Sequence, residues 1–183
     1  LLCAGYATRL YPLTENQPKA LLSVGDKTII DHILEKVERV NEVDEVFLVT
    51  NDRFSSHFDD WLKNTYKAKK RVEVVNDDTK SNEDRLGAIG DIQYIIDKKN
   101  INDDLMVIAG DNLFEFSVRA FHKYFKDKKS NVVAVHDIKE KQKAAKRFGI
   151  IELNKDNKII DFEEKPENPK TSLVSTGCYI FTK

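Results

Sequence analysis

Short, β-rich apolar runs alternate with amphipathic stretches along most of this chain, and that alternation narrows the fold more than any other feature. Continuous runs at Leu1–Ala4, Glu45–Thr50 and Leu105–Ala109 predict strands covered on both faces, as in a parallel sheet. Further strands are expected at Val72–Asn76, Asn131–Val135, Gly149–Leu153, Lys158–Glu163 and Ser175–Thr182. Between them Ile29, Ile30, Ile33, Leu34 and Val37 recur at helical spacing, as do Phe54, Phe58, Trp61 and Leu62. Ile89, Ile92, Ile95 and Ile96 repeat the pattern, and so do Val118, Phe121 and Phe125. Strand–helix alternation of this kind implies right-handed crossovers and an α/β fold, a three-layer α/β/α sandwich on a mostly parallel sheet. After about Val132 the separators become turn-like, as in Asn154-Lys155-Asp156-Asn157, which predicts a hairpin and antiparallel additions. No internal repeat or linker interrupts the 183 residues, so one domain over 1–183 is expected.

Charge sets the next limit. Thirty Lys and Arg against thirty-one Asp and Glu leave a net charge of −1, so no global field favours nucleic acid or an anionic membrane. Any anion site must be built from locally placed cations. No apolar run approaches the roughly 18–20 residues of a membrane span. Cys3 and Cys178 lie in apolar stretches without partners at metal-ligand spacing, and read as buried, reduced thiols of a cytoplasmic protein. The basic run between Tyr66 and Arg71 (Lys67, Lys69, Lys70, Arg71) reads as a solvated helix end.

In open α/β sheets ligands bind beyond the carboxyl ends of the strands, and three polar segments stand at such exits. The first is Gly5-Tyr6-Ala7-Thr8-Arg9, followed by Pro18-Lys19. Backbone N–H groups of a small-residue turn, backed by an arginine and a lysine, form a cradle for phosphate oxygens. The second is Gly110-Asp111-Asn112. Asp111 reads either as a helix cap or as a carboxylate placed to hold Mg²⁺ with phosphate oxygens. The third is Glu163-Glu164-Lys165-Pro166, where alternation puts Glu164 on the face of Ile160 and Phe162, expected inward. Leu86-Gly87-Ala88-Ile89-Gly90-Asp91 opens a helix, and its glycines suit either close approach of a flat base or tight helix–sheet packing. Val24-Gly25-Asp26-Lys27-Thr28 is not a P-loop, and the dinucleotide Gly-x-Gly-x-x-Gly is absent. The four histidines (His32, His57, His122, His136) are scattered and take core or surface roles.

Together these segments resemble the sugar-phosphate nucleotidyltransferases, which include glucose-1-phosphate thymidylyl- and uridylyltransferases and mannose-1-phosphate guanylyltransferases. The opening resembles the family's Gly-x-Gly-Thr-Arg-x-x-Pro-x-Thr with its following Pro-Lys. Leu86-Gly87-Ala88-Ile89-Gly90 is similar to Leu-Gly-Thr-Ala-Gly, and Gly110-Asp111-Asn112 to Gly-Asp-Asn. Phe148-Gly149, Glu164-Lys165-Pro166 and Thr176-Gly177-x-Tyr179 follow in family order. The resemblance implies a Rossmann-like nucleotide-binding sheet and in-line attack of a sugar 1-phosphate on the α-phosphorus of a nucleoside triphosphate. It assigns catalysis to Arg9, Lys19 and Asp111, with Asp111 carrying Mg²⁺. Ala4, Gly5, Thr8, Arg9 and Gly87 would meet the nucleotide, and Gly149, Glu164, Lys165 and Gly177 the sugar phosphate. Ala7 replaces the second family glycine. Where many members carry a base-reading Gln, this chain has Ser81-Asn82-Glu83-Asp84-Arg85, and Asn82 is the nearest chemical substitute.

Opening inside a strand and ending at Lys183, before the family's second metal-binding aspartate, the chain is expected to be a domain shortened at both ends. The leading expectation is an enzyme taking dTTP or UTP and glucose 1-phosphate, with no nucleic-acid or membrane partner and the oligomeric state, a homo-oligomer included, left open. The alternatives are a nucleotide- or NDP-sugar-binding regulatory module without turnover, and cytidylyl transfer to a phosphorylated alcohol such as phosphocholine.

Overall fold

The computed structural model describes residues 1–67 and 69–183. Ala68, inside the basic run, lies outside the described residues; beside it, Lys70 Nζ donates to the Val43 carbonyl at 2.5 Å and Arg71 pairs with Glu45. A two-stranded hairpin, β1 (Ser23–Val24) and β2 (Lys27–Thr28), turns at Gly25, whose φ of +70° suits glycine. It feeds helix α1 (Ile29–Val37) through a capping box: Thr28 Oγ1 accepts from the Asp31 N–H, while Asp31 accepts from the Thr28 N–H.

The parallel half of the sheet holds β3 (Glu45–Thr50) and β4 (Arg71–Asn76), paired in register from Glu45↔Arg71 to Thr50↔Asn76. The expected first strand contracts to Leu1–Cys3, where Leu2 alone bridges Val49 on one side and Ala109 on the other, both in parallel. Its backbone is bonded both ways: Leu2 N–H donates to the Ile108 carbonyl at 3.0 Å and Cys3 N–H to the Val49 carbonyl at 2.8 Å. Through this seam β5 (Leu105–Ile108) continues the sheet.

Alternation along β3 explains the three layers. Val46 and Leu48 face a core shared with α1, α2 (Ser55–Asn64) and α4 (Val118–Lys128), where Ile33, Leu34, Phe58 and Val118 are buried. Phe47 and Val49 face the other way, toward Val75, Tyr94 and Ile95 of a second core under α3 (Gly87–Lys99). The helical phase of α3 differs from the isoleucine stripe read in the sequence. Ile89 is 85% exposed, and Asp91 takes the buried position one turn before Ile95.

The C-terminal half is antiparallel. Strand β9 (Leu173–Phe181) pairs with β5, with β6 (Val132–Asp137) and, at Ile150↔Val174, with β7 (Gly149–Leu153). The expected hairpin joins β7 to β8 (Ile159–Glu164), and Asn154 Oδ1 accepts from the N–H groups of Asp156 and Lys158 at 2.9 Å to close it. Antiparallel pairs around β9 and in the β7–β8 hairpin outnumber the parallel ones of the β3–β4 ladder and the Leu2 bridges. Cys3 and Cys178 are free and buried, and burial pushes their thiols up to about 12 and about 11.

Candidate functional site

Two strand exits and the start of α3 meet at a cavity of about 280 Å³. Ala4 and Gly5 line it from the first exit, Ala109 and Asp111 from β5, and Arg85, Gly87, Ala88 and Asp91 from the approach to α3 and its first turn. Lys19 and Asp77 line it as well. A Cβ built on Gly5 or Gly87 meets nothing within 4 Å, so both present bare backbone to open space, and Gly87 holds φ at +74°. A larger cavity of about 540 Å³ opens at the opposite, amino ends of β3 and β5, beside Glu45, Phe47 and Leu105. Ligands of open α/β sheets bind at the carboxyl ends, which selects the smaller one.

The loop after Cys3 is held by two fully buried polar side chains. Asn51 Nδ2 donates to the Ala4 carbonyl at 2.9 Å while its Oδ1 accepts from the Phe54 N–H. Thr14 Oγ1 donates to the Ala7 carbonyl at 2.8 Å. Ala7 is fixed in the left-handed region, φ 47° and ψ 38°, where alanine pays about 1–2 kcal/mol that glycine would not. Thr8 and Arg9 follow on a single 3₁₀ turn, exposed, and neither lines the cavity.

Lys19 opens a 3₁₀ turn, Lys19–Leu21, directly after Pro18. Its Nζ lies 2.9 Å from Asp111 Oδ2, so the cation of one strand exit and the carboxylate of another are in direct contact. Gly110 lets the Asp111 turn pass close against the first strand, since a Cβ there would sit 2.1 Å from Cys3 Sγ. Asn112 donates through Nδ2 to the Thr176 carbonyl and ties the Asp111 turn to β9.

Beside this pair lies a buried acid couple. Asp77 and Asp91 are 4% and 5% exposed. Asp77 Oδ1 accepts from the N–H and hydroxyl of Thr79 at 2.8 and 2.7 Å. Its Oδ2 and Asp91 Oδ1 have no donor among the described residues. Burial, and next the neighbouring Asp77 charge, push the Asp91 carboxyl up to about 7.

The acceptor-side candidates sit on the antiparallel half. Gly149 faces Glu164 across β7–β8, and a Cβ on it would fall 2.7 Å from Phe162 Cζ and 3.0 Å from Glu164 Oε2. Glu164 does share a face with Ile160 and Phe162, but that face is open: Ile160 is 59% and Phe162 50% exposed. The expected inward direction is therefore corrected: neither Ile160 nor Phe162 joins a core cluster, so no layer of described residues covers that face of β8. Lys165, at φ 48°, pairs with Glu164 at 2.6 Å. Gly177, at φ +70°, accepts from the Ala109 N–H at 2.9 Å and so touches the rim of the cavity.

Residues 1–183 match the sequence model of the nucleotidyl transferase family. The chain belongs to that family. Bifunctional protein GlmU of Methanocaldococcus jannaschii is 36% identical over all of this chain and 39% of its own length. A Sulfolobus acidocaldarius protein provisionally named a mannose-1-phosphate guanyltransferase is 32% identical over all of this chain and 48% of its own. Among solved structures, a Bacillus anthracis protein provisionally assigned as a glucose-1-phosphate thymidylyltransferase, in complex with sucrose, superimposes with a TM-score of 0.84 at 26% identity, over 99% of this chain and 69% of that one. The chain spans 39% and 48% of the length of the two curated relatives.

The cavity gathers Ala4, Gly5, Lys19, Gly87 and Asp111 of the residues singled out by sequence. It does not gather Asn82, which is exposed and accepts a hydrogen bond from Arg85. Arg85, Asp77 and Asp91 line the cavity and were missed. Asp77 stands directly after β4, so the strand-exit rule applied to that strand would have found it. Asp91 had no signal, being an acid in an isoleucine-rich helix.

For Mg²⁺ the donor set is sparse. Among the described residues no three His, Cys, Asp or Glu side chains converge as a metal cage. Asp111 is a half-exposed carboxylate at the cavity wall, and the buried Asp77 and Asp91 line the same cavity. Mg²⁺ keeps several waters and binds through one or two carboxylates plus substrate phosphates, so Asp111 fits an ion shared with a phosphate.

Proposed function

We propose that this domain transfers a nucleoside monophosphate from a nucleoside triphosphate to a sugar 1-phosphate, with release of pyrophosphate. The observation that carries the reading is the Lys19–Asp111 contact at the wall of a cavity floored by the bare backbone of Gly5. A fixed cation and a metal-competent carboxylate side by side suit the crowded charge around an α-phosphorus under attack. Family membership and the sugar 1-phosphate named for the Sulfolobus relative support the same reaction class.

In the step itself a phosphate oxygen of the sugar 1-phosphate forms a bond to the α-phosphorus. The bond from that phosphorus to the bridging oxygen of the β-phosphate breaks, and pyrophosphate leaves with its electron pair. Lys19 neutralises the α-phosphoryl oxygens and the incoming phosphate. Arg9, exposed on its 3₁₀ turn, grips the departing pyrophosphate as a planar fork. Glu164 accepts from sugar hydroxyls and Lys165 steadies the sugar phosphate. Asp111 would hold Mg²⁺, which would supply neutralisation of phosphate charge. Positioning and electrostatics account for the chemistry, and no covalent intermediate is needed.

Within that class, dTTP or UTP with glucose 1-phosphate is the proposed pair, on family resemblance. The test is pyrophosphate release from the chain over a panel of triphosphates against glucose, mannose and N-acetylglucosamine 1-phosphates and phosphocholine. Release with a sugar 1-phosphate supports the reading; triphosphate binding without release against any acceptor replaces it with the regulatory-module alternative.

A further inference from the structure

The larger cavity, about 540 Å³, lies in the sheet itself. Leu2 bridges Val49 on one side and Ala109 on the other, which holds β3 and β5 two strand spacings apart, roughly 9–10 Å. Ahead of Leu1 no described residue pairs with either strand on the facing side: β3 is otherwise bonded to β4, and β5 to β9. The gap is thus one strand wide. Its walls are apolar toward both layers, with Phe47, Ile95 and Ile101 on one side and Val46, Met106 and Phe125 on the other.

The edges of the gap carry the pattern of a parallel ladder. Val49 N–H donates to the Leu1 carbonyl and Gly110 N–H to the Leu2 carbonyl, both at 2.9 Å. Along a strand the backbone groups turn to alternate neighbours, so two residues earlier the N–H groups of Phe47 and Ile108 point into the gap. The Leu1 amine already stands at a ladder position, donating to the Phe47 carbonyl at 2.7 Å. Burial pulls that amine below its ordinary 8.0, and a peptide N–H would make the same bond with no charge to desolvate.

We infer that this gap is a strand slot, and that its occupant is three residues of this chain directly ahead of Leu1, extended in parallel between β3 and β5. The register fixes the length. Counted from the Leu2 bridges, the first residue stands opposite Phe47 and Val107 and the second opposite Val46 and Met106. The third stands opposite Glu45 and Leu105, where both neighbouring strands begin. The first carbonyl accepts from the Ile108 N–H and the second from the Phe47 N–H. Alternation puts the first side chain against Phe47, Ile95 and Ile101, and the second against Val46, Met106 and Phe125, so both are apolar. The slot opens at the opposite end of the strands from the nucleotide cavity, and its test needs no turnover.

The test compares the 183-residue chain with two versions lengthened ahead of Leu1, by Ser-Val-Ile and by Ser-Asp-Asp. Amide hydrogen exchange is read by NMR at Phe47 and Ile108, with Leu48, which faces β4, as the internal reference. Ser-Val-Ile should slow both amides at least about ten-fold relative to Leu48, because two open N–H groups gain partners. It should also lower the unfolding equilibrium constant in denaturant by roughly 10–100-fold, the gain of two buried apolar side chains less the cost of ordering three residues. Ser-Asp-Asp should do neither. Unchanged exchange at Phe47 and Ile108 in the Ser-Val-Ile chain, or equal slowing by both extensions, overturns the slot. Protection of these amides in the unlengthened chain that grows with concentration, with dimers in sedimentation, assigns the gap to a second copy and overturns the occupant named here.

Discussion

Lys19 Nζ stands 2.9 Å from Asp111 Oδ2, so the two groups assigned to opposite charges of the reaction neutralise each other before any ligand arrives. Both side chains are partly exposed, at 31% and 52%. An ion pair of that exposure contributes little to folding. On the proposed reading, a phosphate oxygen entering the cavity would compete with Asp111 for the three Lys19 donors.

Lys19→Met should therefore leave the fold intact and remove turnover. Melting temperature should stay within about 2 °C of the unaltered chain, since the pair is worth less than about 1 kcal/mol. Pyrophosphate release should fall by roughly 10²–10³-fold, the usual loss for one preorganised charge at a reacting oxyanion. Unchanged release would refute the role given to Lys19.

Asp91 sets a pH dependence. Its folded pKa, about 7, is above the ordinary 3.8, so the folded chain binds this proton more tightly than the unfolded one. The stability it contributes is complete below the unfolded value and is lost as pH rises toward about 7. Asp91→Asn keeps the shape and a donor toward Asp77 but has no proton to lose. Denaturant unfolding at about pH 5 and pH 8 should show the unaltered chain losing stability with pH. The variant should be more stable at the higher pH by on the order of 2–4 kcal/mol.

Gly110→Ala tests the close crossing under the site. The new Cβ would fall 2.1 Å from Cys3 Sγ and 3.1 Å from the Leu2 carbonyl oxygen, so backbone must shift. A loss of about 3 kcal/mol is expected. Adding Cys3→Ala removes the nearer obstacle, and the double variant should regain more than half of the loss in the same unfolding assay.

Ala7→Gly relieves the left-handed strain in the phosphate-side loop. Its φ of 47° is open to glycine, whose greater unfolded-state entropy offsets part of the gain. A net stabilisation of roughly 0.5–1 kcal/mol is expected by thermal unfolding. Destabilisation instead would show that the extra unfolded-state entropy of glycine outweighs the strain relieved at this position.

Much of the fold was readable because its driving pattern is local. Val46, Leu48 and Val49 announce a strand buried on both faces, and the Asn154–Asn157 turn announces a hairpin. Two features escaped because they depend on tertiary placement. The first strand contracts to one bridging residue, Leu2, a limit set by its neighbours and not by its own composition. Helix α3 turns Ile89 to solvent and Asp91 inward, against hydrophobicity, because the face holding Ala88 and Asp91 is the one that lines the cavity. At the site, motif spacing located Lys19 and Asp111 but could not show them touching. It also drew attention to Asn82, which lies outside the cavity, and passed over Arg85, Asp77 and Asp91, which line it.

The seam at Leu2 has a consequence for the order of synthesis. Residue 2 lies between Val49 and Ala109, so one of its two partners is made 107 residues after it. At roughly 5–20 residues per second, the ribosome takes about 5–20 s to supply that partner. For that interval the middle strand of the sheet has at most one neighbour, and its apolar face is open to any extended chain nearby. The central strand of this sheet is thus made well before one of its two neighbours, and its edge toward β5 stays unpaired until that strand is synthesised.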